Sequence, residues 1–326
     1  MKAAVHDQFG EPADVLTLRD VPAPEPAAGQ VRIRTILAPV HNHDLWTIRG
    51  NYGYKPPLPG AIGGSEAVGT VEALGEGVDA ALLGRRVAVA GVHGAWAELF
   101  LAPAGGLLPL PDQVSDEMGA QLIAMPFSAI SLLDTLQVGP GDWMIQTASN
   151  GAVGRIMAGL TRARGINLVS LVRRDEAAVE LRAAGMDNVV STSGEGWMDA
   201  VRAIVGEGRV LSAVDSVGGE LSARLVDLLS QDGELVVFGT ATGAPMPLSS
   251  GALITKHVTV KGFWGARVSA EMEPVKRAGL IGELVTLAAQ GELPMGTGGI
   301  FGLDQLDAAM AAALTPGRAG KILLRP

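Results

Sequence analysis

From Trp143 onward the chain alternates short apolar runs with helical stretches. The runs read WMIQTA, NLVSLV, NVVST, LSAVDSV, ELVVFG and VTVKGFW, and stretches such as RIMAGLTRAR and DEAAVELRAA lie between them. Near-continuous apolar strands joined by helical crossovers imply a parallel sheet with helices on both faces. No other pattern in the chain restricts the fold as strongly.

Residues 1–115 read differently. They are rich in Val, Gly and Pro, and the strand patterns MKAAV, VLTLRDV, GQVRIRTIL, AVGTVEAL and RRVAVAGV are separated by turn residues. With few helical patterns among them, they predict a compact β-rich domain. The character changes in PDQVSDEMGAQLIAMPFSAISLLDTLQV, where Ser115 can cap a helix carrying Asp116 and Glu117 in its first turn. Beyond Phe263, two amphipathic helices are expected near 271–290 and 303–313, and GKILLRP closes the chain as a strand. A length of 326 residues suits one large or two ordinary domains.

Composition excludes several classes. Hydrophobic residues at 48% and charged residues at 18% describe a globular chain, not a disordered one. A formal net charge of −9 disfavours a nucleic-acid partner, which calls for a basic face. With no cysteine, disulfides, thiolate metal sites and cysteine nucleophiles are excluded. No basic segment followed by an apolar run precedes MKAAV, and no run of about 18 apolar residues occurs. The expectation is a cytoplasmic protein with no membrane span.

The first strand of the alternating region runs into TASNGAVGRIMAGL. A glycine-rich turn between strand and helix lets backbone approach a pyrophosphate, and the helix N-terminus supplies free N–H groups and partial positive charge. Gly151 and Gly154 fit the second and third glycines of G-x-G-x-x-G, and Ser149 replaces the first. Its place at the first turn of a βαβ series makes Ser149, Asn150, Gly151, Ala152, Val153 and Gly154 the expected phosphate loop. About 20 residues on, where an acid would accept from a ribose 2′-hydroxyl, stand Arg173 and Arg174. Two guanidinium groups suit a 2′-phosphate, which predicts NADPH over NADH.

These segments carry a resemblance. The opening MKAAVHDQFGEPADVLTLRDVPAPEPAAGQVRIR, then LGEGVD, GRRVAV, DSVGG and GKILL, resemble the medium-chain dehydrogenase/reductase superfamily over nearly all of the chain. IQTASNGAVGR, LVRRD, RGNYGYKPPLP, GGSEAVGTV and VKGFW resemble its zinc-independent branch of quinone oxidoreductases and mitochondrial-type 2-enoyl-thioester reductases, the enoyl reductases above all. The resemblance implies an α/β fold: a GroES-like β-rich catalytic domain of residues 1–115 and 260–326, and a Rossmann domain of residues 116–259 with a six-stranded sheet. It implies a small-molecule substrate in a cleft, and a homodimer paired through VTVKGFW, an edge that needs cover. By the same carry-over Gly239, Thr240 and Lys321 attend the cofactor, and Phe263 and Trp264 line the substrate pocket.

VHNHDLWTIRGNYGYKPPLPG concentrates His41, His43, Asp44, Tyr52 and Tyr54. Zinc-dependent relatives place a Cys, a His and a distant Cys or Asp on their metal. Here His41, Ser65 and the stretch at Ala124 and Met125 hold those positions, so a tetrahedral site would have to draw on His41 and Glu66, with His43 or Asp44 as a third ligand. If the segment is extended, residues 41 and 43 point opposite ways. The expectation is no metal, with His41 and His43 as polar pocket residues and Asp44 bonding nearby backbone. Without a Lewis acid, an activated C=C bond can still be reduced: hydride goes to the β-carbon, and the enolate is stabilised and protonated. The proton donor implied by the NYG resemblance is Tyr52, with Tyr54 second. The enoyl reductases carry N-P-S-D where His41–Asp44 stand and Asn where Met125 stands, so substrate preference is expected to be set there. The alternatives are an NADPH:quinone oxidoreductase and a non-catalytic NADPH-binding or redox-sensing protein.

Overall fold

In the computed structural model every residue but Pro316 and Ala319 is described. By contact the chain forms two units, one of residues 1–125, 284–291 and 295–326, the other of residues 126–283 and 292–294. Residues 116–125 thus group with the first unit, where Arg86 binds Asp116 at 2.8 Å and Glu66 accepts the N–H groups of Ile123 and Ala124. Residues 260–283 group with the second, because the strand at Thr259–Gly262 hydrogen-bonds into its sheet.

The first unit opens with β1 (Lys2–His6), α1 (Pro12–Val15), β2 (Thr17–Asp20), β3 (Gln30–Pro39), α2 (Asn42–Ile48) and β4 (Ala61–Ile62). It continues through β5 (Glu66–Leu74), β6 (Arg86–Ala90), β7 (Leu99–Pro103), β8 (Leu108–Pro109) and α3 (Asp116–Gly119). Next come α4 (Ala124–Asp134), β9 (Trp143–Gln146), α5 (Ala152–Ala163), β10 (Asn167–Val172), α6 (Asp175–Ala183) and β11 (Val189–Ser191). The alternation goes on with α7 (Trp197–Val205), β12 (Val210–Asp215), α8 (Glu220–Leu228), β13 (Glu234–Val237), α9 (Ser250–Lys256) and β14 (Thr259–Gly262). The chain ends with α10 (Gly265–Glu271), α11 (Pro274–Ala289), β15 (Thr297–Gly302), α12 (Leu306–Leu314) and β16 (Lys321–Arg325).

Six apolar runs become six parallel strands in the order β11-β10-β9-β12-β13-β14. The chain enters at β9, steps outward to β11, then crosses back to β12 and steps the other way. This reversal between β9 and β12 is where open α/β sheets bind ligands, beyond the carboxyl ends of the strands. Ile145, Val169, Leu171, Ala213, Leu225 and Leu235 form its buried core. β14 lies at one edge.

In the first unit, β2-β1-β4 form one small sheet and β15-β16-β3-β5-β6-β8 a larger one, with β7 also pairing β3. Its core gathers Ile33, Val87, Trp96, Phe100, Met310 and Leu324. Trp96 is fully buried, and its indole donates to the Pro39 carbonyl at 3.0 Å.

Some helical expectations change. The helix begun at Ser115, whose Oγ accepts from Met118 N–H, stops at Gly119 and restarts at Ala124. The restart has its own cap, because the Glu66 carboxylate takes the N–H groups of Ile123 and Ala124. α11 covers the helix expected near 271–290, with α10 as a separate helix before it, and the one near 303–313 runs from Leu306 to Leu314 after a single tight turn. The segment after Val40, considered above as extended, opens as α2. Among the described residues no helix is long and apolar enough to cross a membrane.

Candidate active site

The expected phosphate loop is built by close packing. Ser149 is fully buried; its hydroxyl donates to the Gln146 carbonyl at 3.2 Å and its N–H to Leu171 of β10 at 3.1 Å. A Cβ on Gly154 would come within 2.6 Å of the Ser149 Cα, so only glycine lets α5 lie this close to the turn. Gln146 Nε2 also holds the Gly154 carbonyl at 2.8 Å. Asn150, Gly151 and Ala152 are exposed, and Val153 is half-buried. Their backbone opens α5, where N–H groups have no intrahelical acceptor and the dipole favours an anion. Arg173 and Arg174, both exposed, follow directly on β10, the parallel neighbour of β9. The residues here fit a dinucleotide: a cradle that a side chain would fill, and two cations at the next strand end.

Asp215, at the end of β12, went unremarked in the sequence except within DSVGG. It is fully buried and accepts from Thr147 Oγ at 3.0 Å, Ser222 Oγ at 2.5 Å and the N–H groups of Val217 and Gly218. One carboxylate thereby ties the β9 turn to the β12 turn across the switch point. Gly239 donates to the Asp215 carbonyl at 3.1 Å, and Thr240 beside it is exposed. Phe263 tilts against Phe238 with ring centroids 5.9 Å apart, whereas Trp264 is 71% exposed.

The second cluster lies wholly in the first unit. Gly63 and Gly64 pass over the Trp96 indole so closely that a Cβ on either would stand 2.3 Å from a ring atom. That approach delivers Ser65 and Glu66 to the start of α2, and it explains the GG-x-E block physically. His41 and Glu66 are both fully buried, with Nε2 and Oε2 at 2.6 Å. Asp44 Oδ2 accepts the His41 N–H at 3.0 Å, capping α2 from its third residue. Ser65 Oγ donates to Asp44 Oδ1 at 2.6 Å and stands 2.7 Å from His43 Nε2. His41 is the extended N-cap and His43 the second residue of α2, so the chain turns between them and residues 41 and 43 do not diverge; their rings stack at 4.8 Å. Tyr52 stacks in turn on His43 at 5.7 Å and is 42% exposed. Tyr54 stacks on His93 at 3.9 Å, a partner that nothing in the sequence singled out. Met125 is half-buried beside Ala124, next to the Glu66 cap.

Burial controls the charges. It pulls His41 down to about 3, helped by Lys321 and His43 and opposed by Asp44. It pushes Glu66 up to about 7, against two backbone N–H bonds, His43 and Lys321 that favour the carboxylate. Both directions disfavour an imidazolium–carboxylate pair, so the short bond joins a neutral imidazole to Glu66. Lys321, buried at the start of β16, is lowered to about 8, first by burial and then by Arg318, with Asp44 and Glu66 opposing.

A catalytic zinc does not fit these residues. His41 Nε2 is committed to Glu66 and His43 Nε2 to Ser65, and a buried lysine already brings a cation to the carboxylates. Among the described residues no three His, Cys, Asp or Glu side chains form a metal-holding group.

The alcohol dehydrogenase GroES-like domain family matches residues 27–112, and the zinc-binding dehydrogenase family matches residues 152–278. The mitochondrial enoyl-[acyl-carrier-protein] reductase of Caenorhabditis elegans is 32% identical over 89% of this chain and 85% of its own. A solved structure of a putative NADPH:quinone reductase from Bacillus thuringiensis is 26% identical, with a TM-score of 0.88 over 100% of this chain and 98% of that one. A mycobacterial protein solved in complex with NADPH is 28% identical, with a TM-score of 0.81 over 100% of both chains. With both halves matched in order and one relative matched along most of its length, the chain belongs to the medium-chain dehydrogenase/reductase superfamily, among the enoyl reductases and quinone oxidoreductases.

Proposed function

We propose that this protein is an NADPH-dependent reductase of an activated C=C bond, in a 2-enoyl thioester or an enone. The observation that carries it is the similarity, along 89% of the chain, to an enoyl reductase. NADPH, when bound, supplies a hydride for the β-carbon. Ser149–Gly154 bind the pyrophosphate, Arg173 and Arg174 the 2′-phosphate, and Gly239 and Thr240 adjoin the nicotinamide end. Lys321 keeps its carried-over role near the cofactor. The Tyr52 hydroxyl donates the proton that completes the reduction. His41, His43, Tyr54, Met125, Phe263 and Trp264 line the substrate's path.

The reaction needs no metal from these residues. An N–H or O–H aimed at the developing oxyanion stabilises the transition state more than the ground state. The protein works as a homodimer paired along β14, whose outer edge would otherwise present unpaired N–H and C=O groups. The cytoplasm is the expected compartment.

NADPH oxidation followed with crotonyl-CoA, an enone and 9,10-phenanthrenequinone tests the reading. Turnover of crotonyl-CoA or the enone above the quinone is expected. The second reading, quinone reduction, is favoured by the name of the Bacillus thuringiensis neighbour, and turnover of the quinone alone would select it. NADPH binding without turnover of any of the three would instead mark a sensing protein.

A further inference from the structure

Two adjacent histidines are tied to two different carboxylates, and only one of them reaches solvent. His41 is sealed on Glu66. His43 is partly exposed, with 22% of its side chain accessible. Its Nε2 stands 2.7 Å from Ser65 Oγ, which stands 2.6 Å from Asp44 Oδ1. The direction of this chain follows from counting protons. The serine hydroxyl has one hydrogen, and an ionised carboxylate accepts only. That hydrogen therefore goes to Asp44, whose other oxygen takes the His41 N–H. Ser65 Oγ must accept from His43, so Nε2 carries the hydrogen. Nδ1 is left as the uncommitted nitrogen of a ring that Tyr52 covers.

We propose that His43 is the positioning residue that returns a proton to Tyr52 after each reduction, held in the working tautomer by Ser65 and Asp44. This rests on the proposed reduction of a C=C bond. Tyr52 breaks its O–H bond as the α-carbon forms a C–H bond, and a phenolate remains. An imidazolium at His43 then breaks its Nδ1–H bond and the Tyr52 O–H re-forms, across one water because the stacked rings do not meet edge to edge. The ring is left neutral with Nε2–H still on Ser65, and a solvent proton reloads Nδ1. One hydride and one solvent proton are consumed per turnover, which balances the reduction. Asp44, 3.6 Å from Nε2 at Oδ1, stabilises the cation. The other groups that bear on the ring are the neutral His41 stacked on it, Glu66 through its charge, and Tyr52; Lys321 bears on Asp44 and Glu66 from β16.

The test uses the full chain with NADPH and crotonyl-CoA. His43→Gln keeps an N–H donor for Ser65 but cannot carry a proton. It is expected to lower kcat by roughly 10- to 100-fold, with NADPH affinity and Tm close to those of the unaltered protein. The unaltered protein should lose kcat with rising pH, because the protonated ring is the active form; the variant should lack that limb. His43→Ala should recover activity with added imidazole. Ring nitrogen NMR, which needs no turnover, should find neutral His43 as the Nε2–H tautomer, and Ser65→Ala should abolish that preference. A kcat within about threefold in His43→Gln, an unchanged pH limb, or an Nδ1–H tautomer overturns the proposal. If the unaltered chain does not reduce crotonyl-CoA or an enone, the functional reading fails instead, and the relay is decided by the tautomer measurement.

Discussion

The turn between β9 and α5 and the ring stack around α2 are two ways of building a site. The first is made of backbone. Six consecutive residues, Ser149–Gly154, supply it, and its requirement is the absence of side chains: Gly154 admits no Cβ against Ser149. The second is made of side chains drawn from four places, at His41–Asp44, Tyr52, Ser65–Glu66 and Lys321, with the backbone N–H groups of Ile123 and Ala124 closing it. The lesson is that a backbone site tolerates the loss of a motif glycine if another residue can hold the turn, as buried Ser149 does. A side-chain site has no such slack, because each group depends on its neighbours for charge state and orientation.

The sharpest way to break the contrast is Tyr52→Phe, which removes one oxygen from the side-chain site. Turnover with crotonyl-CoA should fall about 10²-fold with NADPH affinity intact; a loss below about threefold argues against a proton-donor role. Next in size is Arg173→Ala with Arg174→Ala, where the backbone loop depends on charge. Losing charge-assisted bonds to a 2′-phosphate should raise the KM for NADPH at least about tenfold and leave NADH unchanged. Equal efficiency with both cofactors in the unaltered protein would remove the case for the phosphate. Gly154→Ala should cost about 1–3 kcal/mol of stability by overpacking, read as a lower Tm, and weaken NADPH binding along with it.

The smallest effect separates the two buried partners by pH. Glu66 is raised from 4.5 to about 7, so its contribution is fully present below 4.5 and is lost as pH rises toward 7. His41 is lowered from 6.5 to about 3, so its contribution is present above 6.5 and is lost as pH falls toward 3. Between 4.5 and 6.5 the two oppose each other, and Tm should vary little on their account. Glu66→Gln leaves only the histidine effect, so its Tm should climb steadily with pH across that window. A flat profile in the variant would mean that His41 is not held neutral by burial.

The outcome for the sequence follows the same division. The alternating runs translated closely into β9–β14, because a strand buried on both faces of a parallel sheet is largely apolar. The helix N-terminal to them did not translate, since its interruption at 120–123 is caused by Glu66, which lies far away in the chain. The histidine segment was legible as a concentration of chemistry but not as geometry. An extended backbone through both residues would separate His41 from His43, whereas the change from extended N-cap to helix between them stacks the rings. His93 and Asp215 carried no local signal of their roles, because each is defined by a ring or a set of donors brought from elsewhere.

By itself, then, the sequence determined the alternating parallel strands and marked the candidate phosphate turn with its two arginines, because hydrophobic period and glycine placement are local properties of a chain. Tertiary structure alone decided which histidine is sealed and which is open, which nitrogen is committed, and that Ser65 links His43 to Asp44. Those depend on distances between residues remote in sequence, and on how far burial strips water from each charge.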